Sequence, residues 1–180
     1  MHLETGDPPA ASLALVAGVA LDEALAERVP AGVLQLKWPN DLLARGAKLA
    51  GILLERAGDA VVIGFGVNLA AHPAIADRPA TSLPALGAAP LEPQAAVEML
   101  ADSFARWFER WRREGLERIR RHWLQRAHPV GTALAVRPGE GDQVESGLFD
   151  GLEPDGALRL RLADGGLRVI RAADVHVLAD

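Results

Sequence analysis

The sequence contains no cysteine, which excludes disulfides and thiolate metal sites and says little about compartment. It has no long apolar run. The longest one near the start, residues 10–21, is too short to span a bilayer. The residues before it include Glu4, Asp7, Pro8 and Pro9 and no lysine or arginine, so a signal peptide is not expected and a cytoplasmic location is the default. An excess of positive charge is also missing. The net charge is −5, which argues against a broad nucleic-acid-binding face. The five histidines show no metal-ligand spacing, and no serine sits in a nucleophile elbow, which disfavours a metal or serine hydrolase. Lysine is the scarcest of the common charges. Of 19 basic residues only Lys37 and Lys48 are lysines. The two ammonium groups fall in one short stretch of a chain that otherwise uses arginine, and the two cations are not interchangeable against a carboxylate or phosphate. Composition alone leaves chance as good an explanation as function.

What is present gives a hydrophobic content of 49% over 180 residues, enough for a real core in one domain or in a main domain with a small second one. Ser12 can cap a helix whose apolar face runs from Leu13 to Leu25, with Asp22, Glu23, Glu27 and Arg28 mostly opposite and Pro30 and Gly32 after its end. Alternation over residues 33–38 predicts a half-buried strand, ended by a turn at Pro39, Asn40 and Asp41. Arg45-Gly46 marks a second turn. A strand over Lys48 to Glu55 and another over Val61 to Asn68 flank a hairpin turn at Gly58-Asp59. Gly64 and Gly66 share one face of the second strand, a shelf for a flat ligand or a seam for close packing.

A proline-rich loop covers residues 70–90, and a helix follows from Pro93 to Glu114 with an aromatic stripe of Phe104, Trp107, Phe108 and Trp111 read as core. The arginines around Gly115 are interleaved with Glu109, Glu114 and Glu117, the pattern of a salt-laced solvated face. From Pro129 onward five short strand-like runs, punctuated at Pro138-Gly139, Pro154-Asp155-Gly156 and Asp164-Gly165-Gly166, predict a small barrel packed on the first part.

Three motifs then fall into line: KWPND at 37–41, KLAGIL at 48–53 and GFGVNL at 64–69. Together, at these intervals, they resemble the biotin–protein ligases. The segment ATSL at 80–83 is similar to a short element of the same family that leads into its next helix. The resemblance implies an α+β fold. A class II synthetase-like catalytic domain, a mixed sheet packed with helices, is represented by its carboxyl-side portion over residues 1–128. A small SH3-like β-barrel follows over 129–180. It implies ATP-dependent ligation of biotin, through biotinyl-5'-AMP, to a lysine of the biotin carboxyl-carrier domain of a carboxylase, with Mg²⁺ accompanying ATP, and it leaves room for a homodimer.

By the same resemblance Lys48 offsets charge at the phosphate and Asp41 assists the incoming amine. Gly51 and Leu53 line biotin, Gly64 and Gly66 let biotin and adenylate lie on the strand, Asn68 hydrogen-bonds the nucleotide side, and Asn40 fixes the geometry of the incoming amine or the metal–phosphate arrangement. Lys37 keeps two readings, a phosphate contact or a brace for the turn. The family's GRGRxGR loop and the biotin-binding segment before it are not found in this sequence. Weak adenylate retention by this chain alone is therefore expected, and with no DNA-binding domain in it repressor activity is not. A carrier-docking remnant without catalysis and a lipoate-type ligase are the rival readings.

Overall fold

The computed structural model describes residues 1–74, 79–137 and 143–178. A turn of 3-10 helix at Ala10–Ser12 leads into α1 (Leu13–Ala26). Four strands follow: β1 (Leu34–Lys37), β2 (Asp41–Ala44), β3 (Ala47–Ala57) and β4 (Ala60–Val67), paired antiparallel in that order. Then come α2 (Pro93–Glu114) and α3 (Glu117–Arg126), separated where Gly115 takes φ +75°, a conformation that ends a helix readily only with glycine. The remaining strands, β5 (Ala133–Arg137), β6 (Glu145–Leu152), β7 (Leu158–Arg161), β8 (Leu167–Ile170) and β9 (Asp174–Val177), form one antiparallel sheet in the order β8-β7-β6-β5-β9. Isolated parallel bridges join Leu36 to Ala127 and Lys48 to Ala80, so the α+β assignment with mixed pairing holds. No ladder joins β8 to β9 among the described residues. The turn expected at Pro138-Gly139 lies outside the described residues.

Helix α1 is the centre of the molecule. One side lies on β1 to β3 and the others on α2 and α3, so eleven of its fourteen residues are buried. This corrects the two-faced helix expected from the sequence: Asp22 is not on an outer face but only 1% exposed. Ser12 does not cap the helix with its side chain either. Its hydroxyl donates to Pro9 O at 2.6 Å and accepts the Trp111 indole N–H at 2.8 Å, tying α2 to the start of α1. The aromatic stripe is core at Trp107 and Trp111 and half-buried at the two phenylalanines, while Val97 is exposed. The arginines of α2 and α3 pair as expected, Arg113 with Glu109, Arg118 with Glu114 and Arg120 with Glu117.

One apolar cluster runs through both sheets, from Leu36, Leu42 and Ile52 to Leu134, Phe149 and Leu158. Polar contacts cross the same boundary. Trp38 Nε1 donates to Gly156 O at 3.1 Å and Arg120 Nη1 to Leu152 O at 3.0 Å. The second sheet thus packs on the first, which suits a module too small to bury much surface alone.

Asp22 carries a consequence for pH. Its nearest cation is Arg126, at 3.1 Å, yet neither carboxylate oxygen has a well-directed hydrogen bond. Burial pushes its carboxyl above the ordinary carboxylate range, and Arg126 and His122 offset this only in part. A carboxyl raised in the folded state holds its proton there after the unfolded chain has released it, so folding loses stability as pH rises through that interval. Asp22→Asn is expected to match the parent near pH 4 and to exceed it in urea midpoint at pH 7. Equal midpoints at both pH values would remove this account.

Candidate active site

The strand pairing places most of the residues singled out in the sequence on one face of the first sheet. Lys37 lies opposite Asp41, Asp41 opposite Gly51, and Gly51 opposite Gly66, one continuous rung across all four strands. On the next outward rung Leu53 lies opposite Gly64. Side chains two apart along a strand share a face, so Gly51 with Leu53 and Gly64 with Gly66 look the same way. The other face carries Leu36, Leu42, Ala50, Ile52 and Phe65 toward α1 and α2. A methyl group placed at Gly64 or Gly66 would come no nearer than 3.9 Å to any neighbouring atom, so the shelf over β4 is open rather than a packing seam.

Lys48 reaches this face by an irregularity. Leu42 pairs with Ala50, but the next residue, Leu43, pairs with Lys48, so Leu49 is an extra residue in β3. Such a bulge re-aims the chain beyond it. Leu49 and Ala50 are both buried, while Lys48 turns outward with Gly51 and Asp41. The backbone of the bulge is held from outside the sheet. Lys48 N donates to Pro79 O at 2.8 Å, Thr81 N to Lys48 O at 2.9 Å, and Asn68 N to Leu49 O at 3.0 Å. The ATSL segment therefore runs beside Lys48 as a short parallel edge and leads into a 3-10 turn at Pro84–Leu86.

Asp41 is the first residue of β2 and not a turn residue, a correction to the sequence reading; β2 itself, only four residues long, was not expected. Its carboxylate is 11% exposed and held by both lysines. Lys48 Nζ is in contact with Oδ1, and Lys37 Nζ lies 2.9 Å from Oδ2. A Cβ on Gly51 would sit 2.9 Å from Lys48 Cε and Nζ, so the lysine stem rests where that glycine has no side chain. Asn40 donates from Nδ2 to Ile52 O at 2.6 Å, and its own backbone oxygen accepts from Ile52 N at 2.9 Å, which pins the turn to β3. Asn68 Nδ2 donates to Thr81 O at 2.8 Å and Lys48 O at 3.3 Å, so its NH₂ end is engaged within the chain. Trp38 is buried packing, preceding a cis bond to Pro39.

The second sheet supplies residues that sequence reasoning did not find. Asp174, Val175 and His176 of β9 line a cleft of about 320 Å³ with Lys37, Asp41 and Lys48. Lys37 Nζ also donates to Val175 O at 2.9 Å, across 138 positions of chain, a separation at which nothing local in the sequence signals contact. Behind Lys37, burial and then the lysine's charge push the His128 imidazole below its usual value. The arrangement offers two ammonium groups, one carboxylate and a flat ledge. That set can bind an anion, receive an amine and seat a planar group.

The chain is similar to known proteins over most of its length. The family model described as biotin/lipoate A/B protein ligase matches residues 4–125. The biotin–[acetyl-CoA-carboxylase] ligase of Paracoccus denitrificans is 41% identical over 178 residues, an alignment spanning 92% of this chain and 72% of that protein. The ligase of the same name from Mycobacterium tuberculosis is 38% identical over 167 residues, 91% of this chain and 61% of the relative. Among solved structures, the biotin protein ligase from Aquifex aeolicus in complex with biotin and ATP superposes with a TM-score of 0.78, over 94% of this chain and 72% of the other, at 20% identity, which speaks to fold alone.

Proposed function

The chain belongs to the biotin/lipoate A/B protein ligase family, a family of enzymes, and from that premise we propose that it ligates biotin to a lysine of a biotin carboxyl-carrier domain at the expense of ATP. In the first step an oxygen of biotin's carboxylate bonds to the α-phosphorus of ATP as the bond to pyrophosphate breaks. In the second an amine of the carrier attacks the acyl carbon of biotinyl-5'-AMP, AMP leaves, and the amine gives up a proton. Both reactants of the first step are anions, and a positioned ammonium lowers their repulsion and stabilises charge building on the phosphate oxygens. Lys48 has that part. Asp41 receives the carrier's ammonium and helps it lose its proton. Gly51, Leu53, Gly64 and Gly66 form the ledge for biotin and adenylate. Asn68 and Asn40 hold the strand ends that border it.

The observation that carries this reading is the outward turn of Lys48 onto the rung of Asp41, Gly51 and Gly66, because it gathers the cation, the carboxylate and the ledge on one open face. Leu53, 61% exposed beside that ledge, is an apolar contact waiting for a ring. Mg²⁺ would accompany the ATP phosphates. Among the described residues no cluster of three His, Asp or Glu side chains is arranged to hold a cation, and both oxygens of Asp41 are taken by lysines.

The division at residues 128 and 129 belongs to the same proposal: the first sheet with its helices as the catalytic part, and the second sheet as an SH3-like module closing one wall of the cleft. No helix among the described residues is long and apolar enough to cross a membrane. The test is direct. Purified chain with ATP, Mg²⁺, biotin and a carrier domain is expected to label the carrier in an ATP-dependent way. Carrier binding with no such labelling, under conditions where a relative labels it, would replace the ligase reading by a docking one.

A further inference from the structure

Lys37 belongs to the KWPND motif, yet the two-step reaction leaves it without a task. Its surroundings differ from those of Lys48. Its side chain is 17% exposed against 45% for Lys48. An ammonium donates three hydrogen bonds. That of Lys37 has two acceptors from different sheets, Asp41 Oδ2 and the backbone oxygen of Val175, each at 2.9 Å. Among the described residues the Lys48 ammonium has one ion-pair partner, Asp41 Oδ1, and its stem lies over Gly51, where there is no side chain. One carboxylate is thus held by an anchored cation on one oxygen and a movable cation on the other.

We infer that Lys37 is a positioning residue for the amine-transfer step: anchored on the Val175 carbonyl of β9, it keeps hold of Asp41 Oδ2 while Lys48 leaves Oδ1 for the nucleotide's phosphates. The freed oxygen then faces the incoming amine without the carboxylate swinging away. While Lys48 remains on Oδ1, each oxygen of Asp41 already faces an ammonium, and the two lysines repel a third. The anion that draws Lys48 away removes one of those repelling charges, so adenylate formation favours amine capture. The second sheet enters the chemistry through a single main-chain oxygen. The nature of the anion and the amine rests on the ligase reading above; the unequal anchoring of the two lysines does not.

The scarcity of lysine makes the test simple. Limited acetylation of the full chain, followed residue by residue by mass spectrometry, is expected to modify Lys48 faster than Lys37. Adding ATP with Mg²⁺ should protect Lys48 and leave the rate at Lys37 unchanged. Equal reactivity, or nucleotide protection of Lys37, overturns the inference. In a second arm Lys37→Gln is expected to slow transfer from supplied biotinyl-adenylate to a carrier domain by about tenfold to a hundredfold, the scale of a misplaced catalytic group, and to slow biotin-dependent pyrophosphate exchange far less. Equal losses in the two half-reactions overturn it as well. A parent chain inactive in both half-reactions would count against the ligase reading, and the acetylation arm would still decide the role of Lys37.

Discussion

Lys48→Met is expected to slow adenylate formation by about two to three orders of magnitude, the loss seen when a preorganised donor to a developing anion is removed, corresponding to about 2.7–4 kcal/mol of transition-state stabilisation. The fold should survive. Lys48 is nearly half exposed, and Asp41 keeps Lys37 as a partner, so no buried charge is stranded. Methionine keeps much of the stem that lies over Gly51 and removes only the charge. Lys48→Arg should restore little, because a planar fork cannot take the place of a point charge lying in the space left by the missing side chain of Gly51. The measurement is biotin-dependent pyrophosphate exchange at saturating ATP, with thermal unfolding run alongside. A methionine variant retaining rates within about fivefold of the parent would fall far outside this range and would move the phosphate cation elsewhere.

Trp111→Ala is expected to cost about 3–5 kcal/mol, the usual range for truncating a buried tryptophan. The indole is fully buried and stacks on Phe108 with ring centroids 5.4 Å apart. Its N–H reaches Ser12 Oγ at 2.8 Å inside the core, where an unpaired polar atom is costly. Against a total stability of about 5–15 kcal/mol, that loss brings the protein near its threshold. For a chain of this size it corresponds to a fall in Tm of roughly 6–20 °C. Trp111→Phe should lie between, since it preserves ring packing and deprives the Ser12 hydroxyl, still bonded to Pro9 O, of one donor only. Combining it with Ser12→Ala should recover little of the difference, because the hydroxyl's own bond to Pro9 O is then lost as well. Urea unfolding of the three variants decides the matter. A Trp111→Ala midpoint close to the parent's would show that α2 and α1 are held together by other contacts.

Much of the fold was legible because its periodicities are plain. The alternation through Leu34 and Leu36 marks β1, the glycines at 64 and 66 sit in an alternating run that became β4, and Gly58-Asp59 joins β3 to β4. The alternating runs at 132–136, 144–152, 157–162, 167–170 and 175–178 became β5 to β9, with four of them offset by about a residue and β8 not offset at all. What escaped was decided by neighbours distant in sequence. β2 reads Asp-Leu-Leu-Ala, with no alternation along it, and exists because β1 and β3 flank it. Asp22 looked solvent-facing because helical spacing cannot reveal that α3 covers the opposite side of α1. α3 was hidden among arginines whose charge resembled an open surface. Of the candidate site, Lys48, Asp41, Gly51, Leu53, Gly64 and Gly66 could be named from motifs and lie on one face. Asn40 and Asn68 could be named too, but their amides are turned into the scaffold. The contribution of β9 was invisible, since the oxygen of Val175 belongs to the main chain and would be present with any residue there.

The extra residue in β3 makes residues 48 to 51 read outward, inward, inward, outward. That is the rhythm of a helical turn written into extended chain. Taken alone, the tetrapeptide has no flat side to offer a sheet, and its own preferences do not point the ammonium anywhere in particular. The direction of Lys48 is conferred from outside, by β2 on one flank and residues 79–81 on the other. A loosening of either flank would leave the composition of the site untouched and erase its aim.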